Sequence, residues 1–132
     1  MNMQPTVLLA DDADMLREIF KPTLALMGCN VIAEAATEKE AISQYDHHRP
    51  DLTLLDIHLS IGDGVRALDA IRELNRDAYV VMTTAVEDPD TEARCDTLGA
   101  KGYIIKGHSV EKMISEIEPH LEAIGSQKSA SK

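Results

Sequence analysis

The chain has 132 residues, 44% hydrophobic and 3% aromatic, so we expect one domain whose core is built from aliphatic side chains. Its formal net charge of −10 repels the phosphate backbone of nucleic acids, which predicts that this domain does not bind nucleic acid directly. No apolar run reaches about 18 residues and no secretion signal is evident, so we expect a cytoplasmic protein with no membrane partner.

Short apolar runs alternate with segments whose apolar residues recur at helical spacing. Continuous apolar runs of this length are typical of strands that are buried on both faces of a parallel sheet. The predicted strands are residues 6–10, 30–35, 52–57, 79–83 and 103–105.

The first two helices carry recognisable start and stop signals. Gly28 is a C-cap for the first helix, in which Pro22 is expected to cause a kink or remove a hydrogen bond. Thr37 and Glu40 form a capping box that opens the second helix, which is predicted to end near residue 45.

Later helices show similar signals, beginning with a third helix around residues 65–71. Asp88 followed by Pro89 predicts the start of a fourth helix, and Ser109 caps a fifth, which Pro119 is expected to bend or interrupt. The domain is predicted to span residues 1–124, with a flexible Ser- and Lys-rich tail at 125–132.

Five strands alternating with five helices predict an α/β fold, a doubly wound parallel sheet covered on both faces. Ligands in such sheets bind outside the carboxyl ends of the strands. Several polar residues fall at those ends: Asp11, Asp12, Asp56, Thr83, Thr84 and Lys106.

This set of side chains suits phosphoryl chemistry at a metal ion. Three carboxylates brought together repel one another, and a hard divalent cation such as Mg²⁺ relieves that repulsion. A lysine and a hydroxyl beside the cation stabilise negative charge on a phosphoryl group. Each residue alone has an ordinary explanation, such as a helix cap for an aspartate. Their joint position at the strand ends is what predicts a site.

The segments VLLADDADMLRE, LTLLDIHLSIGDG, VVMTTA and GAKGYIIK resemble the receiver domains of two-component response regulators, including the single-domain chemotaxis type. The resemblance runs from residue 6 to about residue 121. It implies a flavodoxin-like (βα)5 fold with strand order 2-1-3-4-5. It also implies a signalling switch that assists its own phosphorylation and dephosphorylation, rather than an enzyme with turnover.

The resemblance also implies a class of phosphoryl donor and a set of metal ligands. Asp56 is expected to accept the phosphoryl group from a sensor histidine kinase or a histidine phosphotransfer protein. Asp11, Asp12, Asp56 and the backbone carbonyl of His58 are expected to hold Mg²⁺, with Mn²⁺ as an alternative ion.

Further roles carried by the resemblance concern the response to phosphorylation. Thr84 and Lys106 are expected to bind the phosphoryl oxygens, and Tyr103 to act as an aromatic switch that moves with Thr84. The surface of helix four, strand five and helix five would then bind an unidentified downstream protein or support a weak dimer of an otherwise monomeric chain. His58 and Val86 are expected to tune the lifetime of the acyl phosphate.

Two positions depart from the family pattern. Gly107 follows the site lysine where the family usually has proline, and Ser60 stands where a proline usually lies four residues after the phosphorylated aspartate. Both changes predict less constrained loops.

Three other kinds of protein are alternatives to a stand-alone receiver. The chain can be the receiver part of a longer regulator. An aspartyl-nucleophile phosphatase requires D-x-D-x-T after the first strand, where this chain has DDADM. A flavin carrier of the flavodoxin type requires a Ser/Thr/Gly-rich loop there, and the two acids would repel its phosphate.

Overall fold

The structure is a computed structural model that describes residues 4–107 and 109–130, with side chains as far as residue 126. Its strands are β1 (Thr6–Ala10), β2 (Asn30–Ala35), β3 (Leu52–Asp56), β4 (Val80–Thr84) and β5 (Gly102–Ile105). Its helices are α1 (Asp14–Leu26), α2 (Glu38–His48), α3 (Gly64–Leu74), α4 (Pro89–Thr97) and α5 (Val110–Ala130). The strands form one parallel sheet in the order β2-β1-β3-β4-β5. The predicted fold class and strand order are confirmed.

The central strands β3 and β4 are buried at every position. They carry no polar alternation because a parallel sheet covered by helices has no solvent-facing side. Within the pair, Leu55 lies opposite Met82 and Asp56 lies opposite Thr83. This register brings the carboxyl ends of the two strands to the same edge of the sheet.

Two layers of buried side chains lie on opposite faces of the sheet. Successive residues of a strand point to opposite faces. Accordingly, Leu8 and Ala10 of β1 pack with side chains from α2 and α3, whereas Val7 and Leu9 pack with side chains from α1 and α5. The helices therefore cover both faces of the sheet, as the doubly wound fold requires.

Most of the predicted helix signals are present. Gly28 has a φ of 86° just beyond α1, a left-handed conformation that glycine adopts without strain. Thr37 Oγ1 accepts a hydrogen bond of 3.1 Å from Glu40 N, and the Glu40 carboxylate accepts one of 2.8 Å from Ala36 N. Asp88 caps α4 through Thr91 N.

The main differences from prediction concern where helices end. The second helix continues to His48, three residues further than predicted. Helix α5 continues through Pro119 without the expected interruption. Ile117 and Ile124, on either side of Pro119, are buried in the core, and this packing stabilises the continuous helix. The same helix continues through the predicted tail as far as Ala130, while residues 131 and 132 lie outside the described residues.

None of the helices in the described part of the chain has the length and apolarity that crossing a bilayer requires.

Candidate functional site

Three aspartates meet at the carboxyl ends of β1 and β3. Ala10 of β1 lies opposite Leu55 of β3, so the residues that follow them emerge side by side. Asp11, Asp12 and Asp56 each offer one carboxylate oxygen, and these atoms lie within 4.8 Å of one another. Asp11 and Asp56 are buried and Asp12 is exposed. The cluster therefore combines a buried pair of acids with a third acid that faces solvent.

Lys106 reaches the same cluster from the end of β5. Its Nζ lies 2.8 Å from Asp56 Oδ2 and 3.1 Å from Asp11 Oδ2. Its backbone N donates a 2.7 Å hydrogen bond to Thr84 O, which fixes the start of the side chain at the end of β4. One ammonium beside three carboxylates leaves excess negative charge in a partly buried site, and a divalent cation with oxygen ligands offsets such charge.

Burial dominates the electrostatics of this site. Removal from water raises the pKa of Asp56, while the Lys106 ammonium and the His58 amide act against that rise. Burial by itself would lower the pKa of Lys106, but the carboxylates of Asp56 and Asp11 outweigh it and the pKa is raised. Lys106 therefore remains a positive charge next to the Asp56 oxygens.

Both oxygens of the Asp56 carboxylate have hydrogen-bond donors. Lys106 donates to Oδ2, and His58 N donates to Oδ1 at 3.0 Å. The next backbone amide, Ile57 N, donates to Thr83 O at 3.0 Å, so the start of the loop after β3 is attached to β4. His58 thus lies at the site through its amide, while the role of its carbonyl as a metal ligand stays a prediction.

Thr84 is buried at the end of β4, and its hydroxyl donates a 3.0 Å hydrogen bond to Val86 O. The Val86 side chain is 58% exposed beside it. Contact between the Thr84 hydroxyl and a phosphoryl group on Asp56 would require this hydrogen bond to be exchanged. The role of Thr84 as a switch residue stays a prediction.

Tyr103 of β5 packs against the core layer that contains Cys95 of α4. Its hydroxyl is buried and has no hydrogen-bond partner of ordinary geometry among the described residues. Burial, followed by the neighbouring Cys95 thiol, raises the pKa of Tyr103. The predicted switch residue is therefore turned toward the core, with its polar end enclosed between β5 and α4.

Arg17 of α1 supports the loop that carries Asp11 and Asp12. Its guanidinium donates to the backbone O of Asp11 and forms ion pairs with Asp14 and, at 3.0 Å, with Glu34. An arginine in the first turns of a helix is usually a solvated surface residue. No sequence signal distinguished this one, whose side chain is only 15% exposed.

These features are those of a signalling receiver built on a doubly wound sheet. Residues 7–118 match the model of the response regulator receiver domain, and the chain belongs to that family. It is therefore a CheY-like receiver of two-component signalling.

Individual relatives support the same assignment. The chain is 30% identical over 119 residues to the chemotaxis protein CheY of Bacillus subtilis, covering 90% of this chain and 99% of that protein. It is 31% identical over 112 residues to the transcriptional regulatory protein PdtaR of Mycobacterium tuberculosis, covering 85% of this chain and 54% of that protein.

Among solved structures, the chain is similar to one in the CheX–CheY–BeF3–Mg²⁺ complex of Borrelia burgdorferi. The TM-score is 0.83 at 28% identity, with 88% of each chain covered.

Proposed function

We propose that this chain is a phosphoacceptor switch in which Asp56 takes a phosphoryl group in an Mg²⁺-dependent reaction. The donor would be a histidine kinase or a histidine phosphotransfer protein. The observation that carries the proposal is the bridge from Lys106 to both Asp56 and Asp11 beside the exposed Asp12. This arrangement provides a nucleophile, a fixed positive charge and a set of metal ligands within one site.

The reaction would be a transfer between two side chains. An Asp56 carboxylate oxygen attacks the phosphorus of the donor phosphohistidine, an O–P bond forms, and the N–P bond to imidazole breaks. Lys106 stays protonated and holds the negative charge of the transferred oxygens. Thr84 would exchange its hydrogen bond to Val86 O for one to the phosphoryl group.

The donor set suits Mg²⁺, with Mn²⁺ as an alternative. Asp11, Asp12 and Asp56 supply hard carboxylate oxygens, and solvent reaches the site at Asp12, which leaves room for the water ligands that Mg²⁺ retains. When bound, the ion would neutralise charge on the phosphoryl oxygens. We assign no separate catalytic turnover to the protein, since the phosphoryl group ends on one of its own residues.

Exposed apolar side chains around this edge of the sheet favour a protein as the phosphoryl donor. Met15, Ile61 and Val86 follow β1, β3 and β4, and they are 79%, 70% and 58% exposed. Exposed apolar groups that surround a polar site are typical of protein interaction surfaces. After phosphorylation, the surface of α4, β5 and α5 would be read by a downstream protein.

The alternative of a receiver within a longer regulator is favoured by one observation. The chain covers only 54% of PdtaR, so a related receiver occurs in a protein about twice as long. The site chemistry proposed here is the same in both cases.

Mass spectrometry tests the proposal directly. Treatment with acetyl phosphate and Mg²⁺ should add one phosphoryl group to the wild type and none to Asp56→Asn. Asp69→Asn, which alters an exposed acid on α3, is the matched control and should be modified normally. A phosphorylated Asp56→Asn variant, or an unmodified wild type with both acetyl phosphate and a phosphorylated phosphotransfer protein, would contradict the proposal. Removal of Mg²⁺ by a chelator should prevent the modification.

A further inference from the structure

Glu38, the first residue of α2, contacts the loop between β3 and α3 on both sides of Gly62. Its backbone N donates a 3.0 Å hydrogen bond to Ile61 O. Its carboxylate oxygen Oε1 accepts a 2.8 Å hydrogen bond from Asp63 N and a 3.2 Å bond from Arg66 Nε. One residue therefore fixes the second half of this loop to the neighbouring helix.

The contact between Glu38 and the loop is close. Gly62 has a φ of +94°, and a Cβ built at this position would overlap the Glu38 side chain. At Gly64, a Cβ would overlap the backbone O of Asp56 and lie 2.7 Å from Ile57 Cα. The end of the loop thus lies between Glu38 on one side and the backbone of Asp56 on the other. A displacement of the loop would therefore also displace the backbone of Asp56.

The first half of the loop is attached to the site itself. Ile57 O accepts a 2.9 Å hydrogen bond from Gly64 N, and His58 N donates to Asp56 Oδ1. Between these attachments, Ser60, Ile61 and Gly62 are exposed. Serine at position 60 does not restrict φ as the proline common in the family would. The contacts from Glu38 supply a constraint at this point in the loop.

We propose that Glu38 is a positioning residue for the metal site, holding the β3–α3 loop so that His58 stays next to Asp56. This inference rests on the proposed function above. Its physical basis is that charged acceptors form shorter and stronger hydrogen bonds than neutral ones. The Glu38 side chain is only 25% exposed, which protects its contacts from competition by water.

The test uses Glu38→Ala and Glu38→Gln in the full chain, with Glu40→Ala as the matched control. Glu40 lies in the same first turn, but its carboxylate accepts from Ala36 N and caps α2. In metal-free protein, amide exchange at Asp63 should speed up in Glu38→Ala. It should stay near the wild-type rate in Glu40→Ala. Glu38→Gln retains an oxygen acceptor and should restore most of the protection.

The second measurement is the Mg²⁺ dependence of phosphorylation by acetyl phosphate. Glu38→Ala should require about tenfold more Mg²⁺ for half-saturation, with little change in rate at saturating Mg²⁺, because residues that orient ligands act on metal affinity. A general loss of stability would instead lower the thermal midpoint without changing the Mg²⁺ half-saturation. If Glu38→Ala fails to fold, Arg66→Gln removes the ion pair from the other partner and should cause a smaller shift in the same direction.

Two results would overturn the inference. In the first, Glu38→Ala has the same Asp63 exchange rate and the same Mg²⁺ half-saturation as the wild type. In the second, Glu40→Ala changes both quantities as much as Glu38→Ala does. Failure of the proposed function is distinguishable, since it would appear as an unmodified wild type. Amide exchange at Asp63 and calorimetric Mg²⁺ titration would still decide the role of Glu38 in that case.

Discussion

The ammonium of Lys106 lies 2.8 Å from Asp56 Oδ2, and the two side chains are only 10% and 2% exposed. The same ammonium lies 3.1 Å from Asp11 Oδ2. In this arrangement one buried cation offsets the repulsion between two buried anions. A bound metal ion would share that task, so the effect of removing Lys106 should depend on the metal.

Lys106→Met should lower the free energy of unfolding by about 3 kcal/mol in the absence of Mg²⁺, since it leaves buried carboxylates without their partner. Excess Mg²⁺ should recover part of this loss by occupying the acidic cluster. Urea unfolding with and without Mg²⁺ measures both quantities. Lys112→Met, on the exposed part of α5, is the control and should change little. An equal loss under both conditions would contradict the electrostatic explanation.

Val86 and His58 are expected to control the lifetime of the phosphorylated state. Val86 follows Thr84 closely and is 58% exposed, and His58 follows Asp56. Val86→Ala should accelerate loss of the phosphoryl group several-fold because a smaller side chain admits water to the acyl phosphate. His58→Asn should change the same rate. Decay of the phosphorylated mass after donor removal measures it.

Leu74→Ala, an exposed apolar residue at the end of α3, is the control for these lifetimes and should decay at the wild-type rate. An unchanged rate in His58→Asn would remove His58 from the explanation, and an unchanged rate in Val86→Ala would remove Val86.

Much of the fold follows from local sequence patterns. Strands β3 and β4 are mostly apolar and show no alternation of polar and apolar residues, which is typical of a parallel sheet covered on both faces. The acids and Lys106 follow strands whose carboxyl ends share one edge, and this position predicts that they meet. These predictions require only the position of each residue relative to the strands. They do not require knowledge of which side chains contact one another.

Contacts between distant side chains were not predictable in the same way. Glu38 and Asp63 are 25 residues apart, and nothing in either local sequence indicates that one would bind the other. The continuity of α5 past Pro119 likewise depends on the burial of Ile117 and Ile124, a tertiary effect that outweighs the local cost of proline.

Two tyrosines offer a matched test of buried hydroxyl groups. The Tyr45 hydroxyl accepts a 3.0 Å hydrogen bond from Asn75 Nδ2, whereas the buried Tyr103 hydroxyl has no ordinary partner in the described part of the chain. Tyr45→Phe should therefore destabilise the protein by about 1 kcal/mol, because a hydrogen bond is lost. Tyr103→Phe should be neutral or stabilising, because a buried polar group is removed. Chemical denaturation compares them, and a larger loss for Tyr103→Phe would show that the Cys95 thiol is a significant partner.

His120 of α5 lies behind the edge strand β5. Its Nδ1 and the Tyr79 hydroxyl share a 2.8 Å hydrogen bond, and the imidazole fills the space beside Gly102, where a Cβ would lie 2.7 Å from Cε1. Burial lowers the pKa of His120 because it disfavours the charged imidazolium. The Lys101 ammonium, 6.0 Å from the centre of the Tyr79 ring, adds positive charge to the same region.

This lowered pKa predicts how stability depends on pH. Below its unfolded-state pKa of about 6.5, His120 binds a proton more readily in the unfolded chain than in the folded one. Its contribution to stability is therefore complete above that pH and decreases as the pH falls toward the lower folded-state pKa. Urea unfolding between about pH 7.5 and 5.5 should show this loss in the wild type and a smaller one in His120→Gln. His48→Gln, on the exposed end of α2, should retain the wild-type slope, and an unchanged slope in His120→Gln would assign the pH dependence to other groups.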